Sequence, residues 1–336
     1  MSSLLNILLF SLFRNQSERE TILFGVFAVI ILLFLVLDLG LFNKHAHKIS
    51  TKSALYQSIF WVIISTLFGY LVYLQGPYPQ EDGTLMKGTD AAVLYFSAYL
   101  TEYALSVDNI FVILLILKYF KVKEEYYHKI LFWGIFGAIA FRAIFIFVTA
   151  FFIHKLEWIL YVFGVFLIYS GIRIYFEDGD EKIEPEKNPI MKFCRRYLPM
   201  SKEEHGDQFL VKEYGKWVFT PLFLVIVLIE TTDLIFAVDS IPAAFAITRD
   251  EFLIYTSNIF AVMGLRAMFF LLAGIIDKFY LLQKGLSIIL FFIGAKMLLE
   301  IVDYHIGVYL SFSVIIATLT LSIIFSVIVP RKNRAE

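Results

Sequence analysis

The sequence predicts an all-α polytopic membrane protein with about nine transmembrane helices, arranged as two inverted three-helix repeats plus peripheral helices. Three observations predict it. Of the 336 residues, 59% are hydrophobic and the mean hydropathy is +0.75, whereas a soluble domain is nearer half apolar. The apolar residues gather into runs of about 20 or more, the length that crosses ~30 Å of hydrocarbon as a helix. Three charged blocks also recur along the chain in the same order.

Residues 1–20, which begin "MSSLLNILLFSLFRN", lack a basic leader and a small-residue cleavage site. They are expected to lie on the membrane surface as an interfacial segment. Within 21–90 come two peripheral spans, 21–42 and 53–74. Spans 91–117, 130–153 and 156–176 fill the first repeat, 91–176. A charged, proline-containing linker over 177–216 is expected to hold one short helix around 190–198 and to be too small for a catalytic domain. Spans 217–245, 252–276 and 285–303 fill the second repeat, 217–303. The last span, 308–330, and a basic tail complete the chain over 304–336.

Basic residues set the expected orientation. With the N-terminus outside, twenty lysines and arginines fall on inside segments and five on outside ones. The remaining four, Arg142, Arg173, Arg266 and Lys296, lie within spans. The C-terminus is then cytoplasmic.

The repeat rests on three alignments. "VDNI" at Asp108 falls on "VDSI" at Asp239, with Glu102 and Asp233 each six residues upstream. "AFRAIFIF" around Arg142 falls on "GLRAMFFL" around Arg266, and "SGIRIYFE" on "IGAKMLLE", pairing Arg173 with Lys296. Three spans per unit is an odd number of crossings, so the second unit must enter from the opposite side. Secondary transporters with this design bind substrate near the midplane, where the repeats meet.

Carboxylates at the bilayer centre cost at least ~2.5–3.5 kcal/mol each. This chain places Asp38, Glu102, Asp108, Glu230, Asp233 and Asp239 within its spans. Buried ion pairing with the arginines is one explanation, although such pairs stabilise poorly. Glu102 and Asp108 stand six residues apart, about 9 Å of rise and 120° around a regular helix, so they do not converge on one ion unless the helix breaks. Pro242 cannot donate to the Val238 carbonyl and is expected to supply a break in the second unit. The candidate metal site therefore comprises Asp108, Asn109, Asp239 and the Val238 carbonyl, with Glu102, Glu230 and Asp233 nearby.

These motifs offer only oxygen donors, which suit Mn²⁺, Ca²⁺ or Mg²⁺ better than zinc or copper. Six acids against four bases favour a cation and repel an oxyanion. Closely spaced buried carboxylates retain protons when no ion is present, so metal/proton exchange is the expected coupling. No bound cofactor is expected, and the partners are the lipid bilayer, the divalent cation and protons, with no nucleic acid. The single cysteine, Cys194 in a polar loop, excludes a disulfide framework. The six histidines form no nucleophile or zinc pattern, so an enzyme is not expected. His45 and His47 lie close together in "NKHAHK".

"EYALSVDNIFV", "TDLIFAVDSIPAAFAIT" and "LDLGLFNKHAHKIS" closely resemble the TerC family of integral membrane proteins, Alx-type members included. The likeness covers nearly the whole chain. It implies manganese efflux across the bacterial inner membrane, with Glu102, Asp108, Asn109, Glu230, Asp233, Asp239 and Ser240 at the positions of the family's acidic motifs. A carrier of Ca²⁺ or Mg²⁺, or a membrane scaffold linked to stress or tellurite resistance, are the alternatives.

Overall fold

The computed structural model describes residues 24–34, 51–79, 85–156, 158–176, 189–201, 203, 205–273, 281–302 and 304–328, with backbone alone at 51, 79, 108, 111, 154, 189 and 190. Among the described residues ten α-helices follow in order: α1 Phe24–Phe34, α2 Thr51–Gln75, α3 Gly88–Tyr119, α4 Tyr127–Lys155, α5 Ile159–Phe176, α6 Pro189–Tyr197, α7 Pro221–Ile247, α8 Glu251–Leu272, α9 Leu282–Leu299 and α10 Val308–Ile328. Among the described residues, eight of these are long and apolar enough to cross a membrane; α1 is the shorter apolar segment within the first expected span. The interfacial segment, Asp38, His45 and His47 lie outside the described residues.

Helix α8 is the centre of the bundle and packs against α2, α3 and α4. Of its most apolar stretch 89% is buried, against 17% for α10 at the periphery. Apolar side chains such as Trp133, Phe147, Trp158 and Ile324 face outward, as a bilayer solvent permits. Helix starts follow ordinary rules: Pro221 opens α7, and Asp250 caps α8 by accepting from the Leu253 amide at 3.0 Å.

The most extensive pairing joins α5 to α9, and glycine permits it. A Cβ built on Gly171 would lie 2.7 Å from the Ser287 carbonyl oxygen and 2.9 Å from the Phe291 nitrogen. One on Gly294 would lie 2.6 Å from the Gly164 carbonyl oxygen and 2.9 Å from the Ile168 nitrogen. The helices therefore cross antiparallel. The alignment that pairs Arg173 with Lys296 also pairs Gly171 with Gly294, Ile168 with Phe291 and Gly164 with Ser287. The two contacts are thus mates, as in an interface where residue i meets j and j meets i.

Two expectations need correction. Helix α7 runs unbroken through Pro242: a proline in mid-helix removes one backbone bond, yet its fixed φ is helical, and packing holds the rest, with Ile241, Pro242 and Ala243 buried. Helix α3, where the sequence left a break open, is continuous past Glu102 and Asp108. Cys194 is not in a polar loop; it sits on α6, and with Met191 is buried against Leu222 and Val225 of α7.

Among the described residues two short hairpins also stand beside the helices. Strands β1 Tyr78–Pro79 and β2 Leu85–Met86 pair in one, and β3 Leu210–Glu213 and β4 Lys216–Phe219 in the other. The second is closed by Tyr214 and Gly215, both at positive φ (47° and 83°). Two consecutive left-handed residues make the turn whose twist matches paired strands.

Candidate functional site

Arg142 of α4 is the organising residue. Its side chain is entirely buried, the largest such in the molecule among the described residues. A guanidinium at this depth must satisfy five donors in a fixed fork. Nη2 donates to Asp233 Oδ1 at 2.9 Å and Nε to Asp233 Oδ2 at 3.2 Å. Nη1 donates to Glu102 Oε1 and, at 3.1 Å, to Asn258 Oδ1. Asn258 of α8 returns a bond through Nδ2 to Glu102 Oε2 at 2.9 Å. Asn109 of α3 completes the set, donating to Asp233 Oδ1 at 3.3 Å. Four helices, α3, α4, α7 and α8, contribute to this one polar cluster.

Glu102 and Asp233 are the two acids that the internal alignment equates, and Arg142 joins them. Every oxygen of both carboxylates accepts from a protein donor. If all three groups are charged, the cluster carries one net negative charge.

One helical turn before Asp233, Glu230 is arranged differently. Its carboxylate lies against Gly137 of α4, where an added Cβ would collide with Oε1. Glu230 Oε2 is buried with no hydrogen-bond partner. An unsatisfied buried carboxylate oxygen is costly unless a proton or cation meets it.

Asp239 occupies a separate place. It accepts from Ser170 Oγ of α5 at 2.9 Å, with Arg173 within electrostatic range. Six residues separate it from Asp233 on a continuous helix, about 9 Å along the axis. The Ser240 hydroxyl is buried without a hydrogen-bond partner. Lys296 of α9 donates to the Ala246 carbonyl at 3.2 Å, near the end of α7, where a cation complements the helix dipole.

The structure thus gathers Glu102, Asn109 and Asp233, sets Glu230 beside them, and holds Asp239 apart. The side chain of Asp108 and all of Asp38 lie outside the described residues. Among the described residues no three acidic, histidine or cysteine side chains converge as a preformed metal cage. Sequence reasoning missed Asn258 and Ser170. The signal for Asn258 was present, a lone amide in the apolar run "YTSNIFAVMG".

Away from the membrane helices, Ser201, His205 and Glu213 meet. His205 Nε2 lies 2.9 Å from Ser201 Oγ and 2.7 Å from Glu213 Oε1. Both partners address the same ring nitrogen, so the trio lacks the base and orienter on opposite nitrogens that a nucleophilic triad needs.

The profile described as "Integral membrane protein TerC family" matches residues 87–334. The chain belongs to the TerC family. It is 41% identical to an "Uncharacterized membrane protein" of Rickettsia bellii over 92% of this chain and 97% of the relative. It is 39% identical to the "Putative membrane-bound redox modulator Alx" of Photorhabdus laumondii over 96% and 99%, respectively. The Escherichia coli K12 protein of the same name is 40% identical over 91% and 94%. No solved structure matches. The buried acids of this TerC protein therefore belong to an integral multi-pass membrane protein, and its long apolar helices are membrane spans.

Proposed function

We propose that this TerC-family chain is a secondary carrier that exports a divalent metal, Mn²⁺ foremost, from the cytoplasm of a bacterium in exchange for protons. The observation that carries this reading is Glu230 Oε2, buried and without a protein donor, one turn from the Arg142–Asp233 pair. An interior that keeps Glu102, Asp233 and Glu230 near one arginine, Arg142, with Asp239 farther along α7, favours a cation. All the uncharged donors beside them, Asn109, Asn258, Ser170 and Ser240, are oxygen-bearing, and hard divalent ions prefer oxygen.

The antiparallel crossing of α5 and α9, with mated glycine contacts, supports an inverted repeat as the frame. Alternating access in such frames works by one unit rocking against the other. The expected setting is the inner membrane, N-terminus outside. The name printed for the Alx relatives, a redox modulator, is compatible with control of a redox-active ion. A dithiol relay within one chain is excluded by the single cysteine.

The test is flux in proteoliposomes across Mn²⁺, Ca²⁺, Mg²⁺ and Zn²⁺, with a proton gradient imposed or collapsed. Mn²⁺ movement that responds to the gradient and falls in Asp239→Asn and Asp108→Asn is expected. Equal flux in wild type and both variants would overturn the site, and no flux of any ion would overturn the carrier.

A further inference from the structure

We propose that Arg142 is a tethered counter-cation: it takes the place of the transported ion between Glu102 and Asp233 and must leave them for the ion to bind. This inference rests on the carrier reading above. Its basis is the engagement of every oxygen of both carboxylates by a protein donor. Glu102 Oε1 and both Asp233 oxygens accept from Arg142, and Glu102 Oε2 accepts from Asn258. Three of the four oxygens face the guanidinium, whose charge opposes a second cation beside the same acids, and a divalent cation needs several oxygens at once. Ion and guanidinium therefore compete for the same ligands.

Arg142 also has somewhere to go. Side chains on a helix lean toward its N-terminus, which on α4 is the direction of Gly137. Gly137 stands five residues earlier, about 7.5 Å along the axis and about 140° around it, so the move swings the arginine around α4 as well as along it. The Glu230 carboxylate rests against Gly137 and has a buried oxygen without a partner. In the ion-loaded state Arg142 pairs with Glu230, so its charge stays compensated while Glu102, Asp233 and Asn109 turn to the ion. A carrier whose metal-free form is neutralised from within can return without metal, with the exchanged proton on Glu230, the acid that Arg142 leaves unpaired.

Detergent-solubilised full-length protein titrated with Mn²⁺ tests the exchange. Arg142→Gln removes the competitor and is expected to bind Mn²⁺ at least about tenfold tighter. In proteoliposomes it should keep Mn²⁺/Mn²⁺ exchange and lose net export. Arg142→Lys preserves the charge and guards against misfolding; a point charge holds two carboxylates less well than a fork, so affinity should rise by a smaller factor. Glu230→Gln should weaken binding in the wild-type background and have little further effect when combined with Arg142→Gln. Affinity unchanged or reduced in both Arg142 variants, with wild type binding Mn²⁺ normally, would overturn the proposal and leave Arg142 a structural ion pair. Full weakening by Glu230→Gln in the Arg142→Gln background would also overturn it, making Glu230 a ligand. If wild type itself neither binds nor moves Mn²⁺, the carrier reading fails instead.

Discussion

Arg142 grips Asp233 as a two-pronged fork, Nη2 to Oδ1 at 2.9 Å and Nε to Oδ2 at 3.2 Å, deep in the molecule and across two helices. Removing one partner of such a pair strands the other's charge, which typically costs about 3–5 kcal/mol. Asp233→Ala is therefore expected to lower the thermal midpoint in detergent markedly, and Asp233→Asn less, since the amide oxygen still accepts. An Asp233→Ala protein as stable as wild type would mean that Arg142 reaches water or another acid.

Much of this arrangement was legible in the sequence because charge inside an apolar run is a conspicuous signal. Glu102, Asp233 and Arg142 were each visible as residues whose burial demands a partner. The recurrence of "VDNI" as "VDSI" placed Glu102 and Asp233 in register, and they meet on one guanidinium. What could not be read was partnership. Periodicity does not say whether Asp239 joins Asp233 or turns to Ser170, because that depends on where α5 crosses α7. Nor does it weigh Pro242, whose lost hydrogen bond signals a break while the surrounding packing keeps α7 continuous. The β3–β4 hairpin was missed for a different reason: its signal, "EYGK" between alternating apolar residues, is short and lies in a stretch dominated by charge.

The mated contacts at Gly171 and Gly294 make a sharper claim on stability. A methyl group at either site would lie under 3 Å from backbone atoms of the facing helix, which cannot turn aside as a side chain can. Gly171→Ala and Gly294→Ala should each cost about 1–3 kcal/mol, the usual penalty of overpacking. Because both push the same two helices apart, the double variant should cost less than the sum of the singles. Strict additivity in thermal or SDS unfolding would argue that the two contacts yield independently.

Gly137 is a milder case with a different readout. The atoms that its added Cβ would meet belong to the Glu230 carboxylate, the end of a flexible side chain. Gly137→Ala should therefore fold with a small change in stability and displace the Glu230 carboxylate. The expected result is near-normal unfolding with Mn²⁺ affinity altered at least severalfold. Unchanged affinity would show that the position of Glu230 is not critical to binding.

The extramembrane hairpin carries a pH dependence of its own. Hydrogen bonds from Ser201 and then His205 hold the Glu213 carboxyl below its ordinary value of 4.5. A carboxylate so held stabilises the folded form when ionised. That contribution is full above about pH 4.5 and is lost as pH falls through the lower folded value. Between pH 6 and pH 3, the protection of the Val218 amide, whose residue pairs with Val211 across the hairpin, should fall relative to the intrinsic exchange rate as this contribution disappears. Glu213→Gln should remove that step and leave exchange at low pH nearly as in wild type. Ser201→Ala should shrink the step and move it upward in pH, since the first of the two bonds to the carboxylate is gone. A step of the same size in Glu213→Gln would assign it to another group, with His205 the next to be replaced.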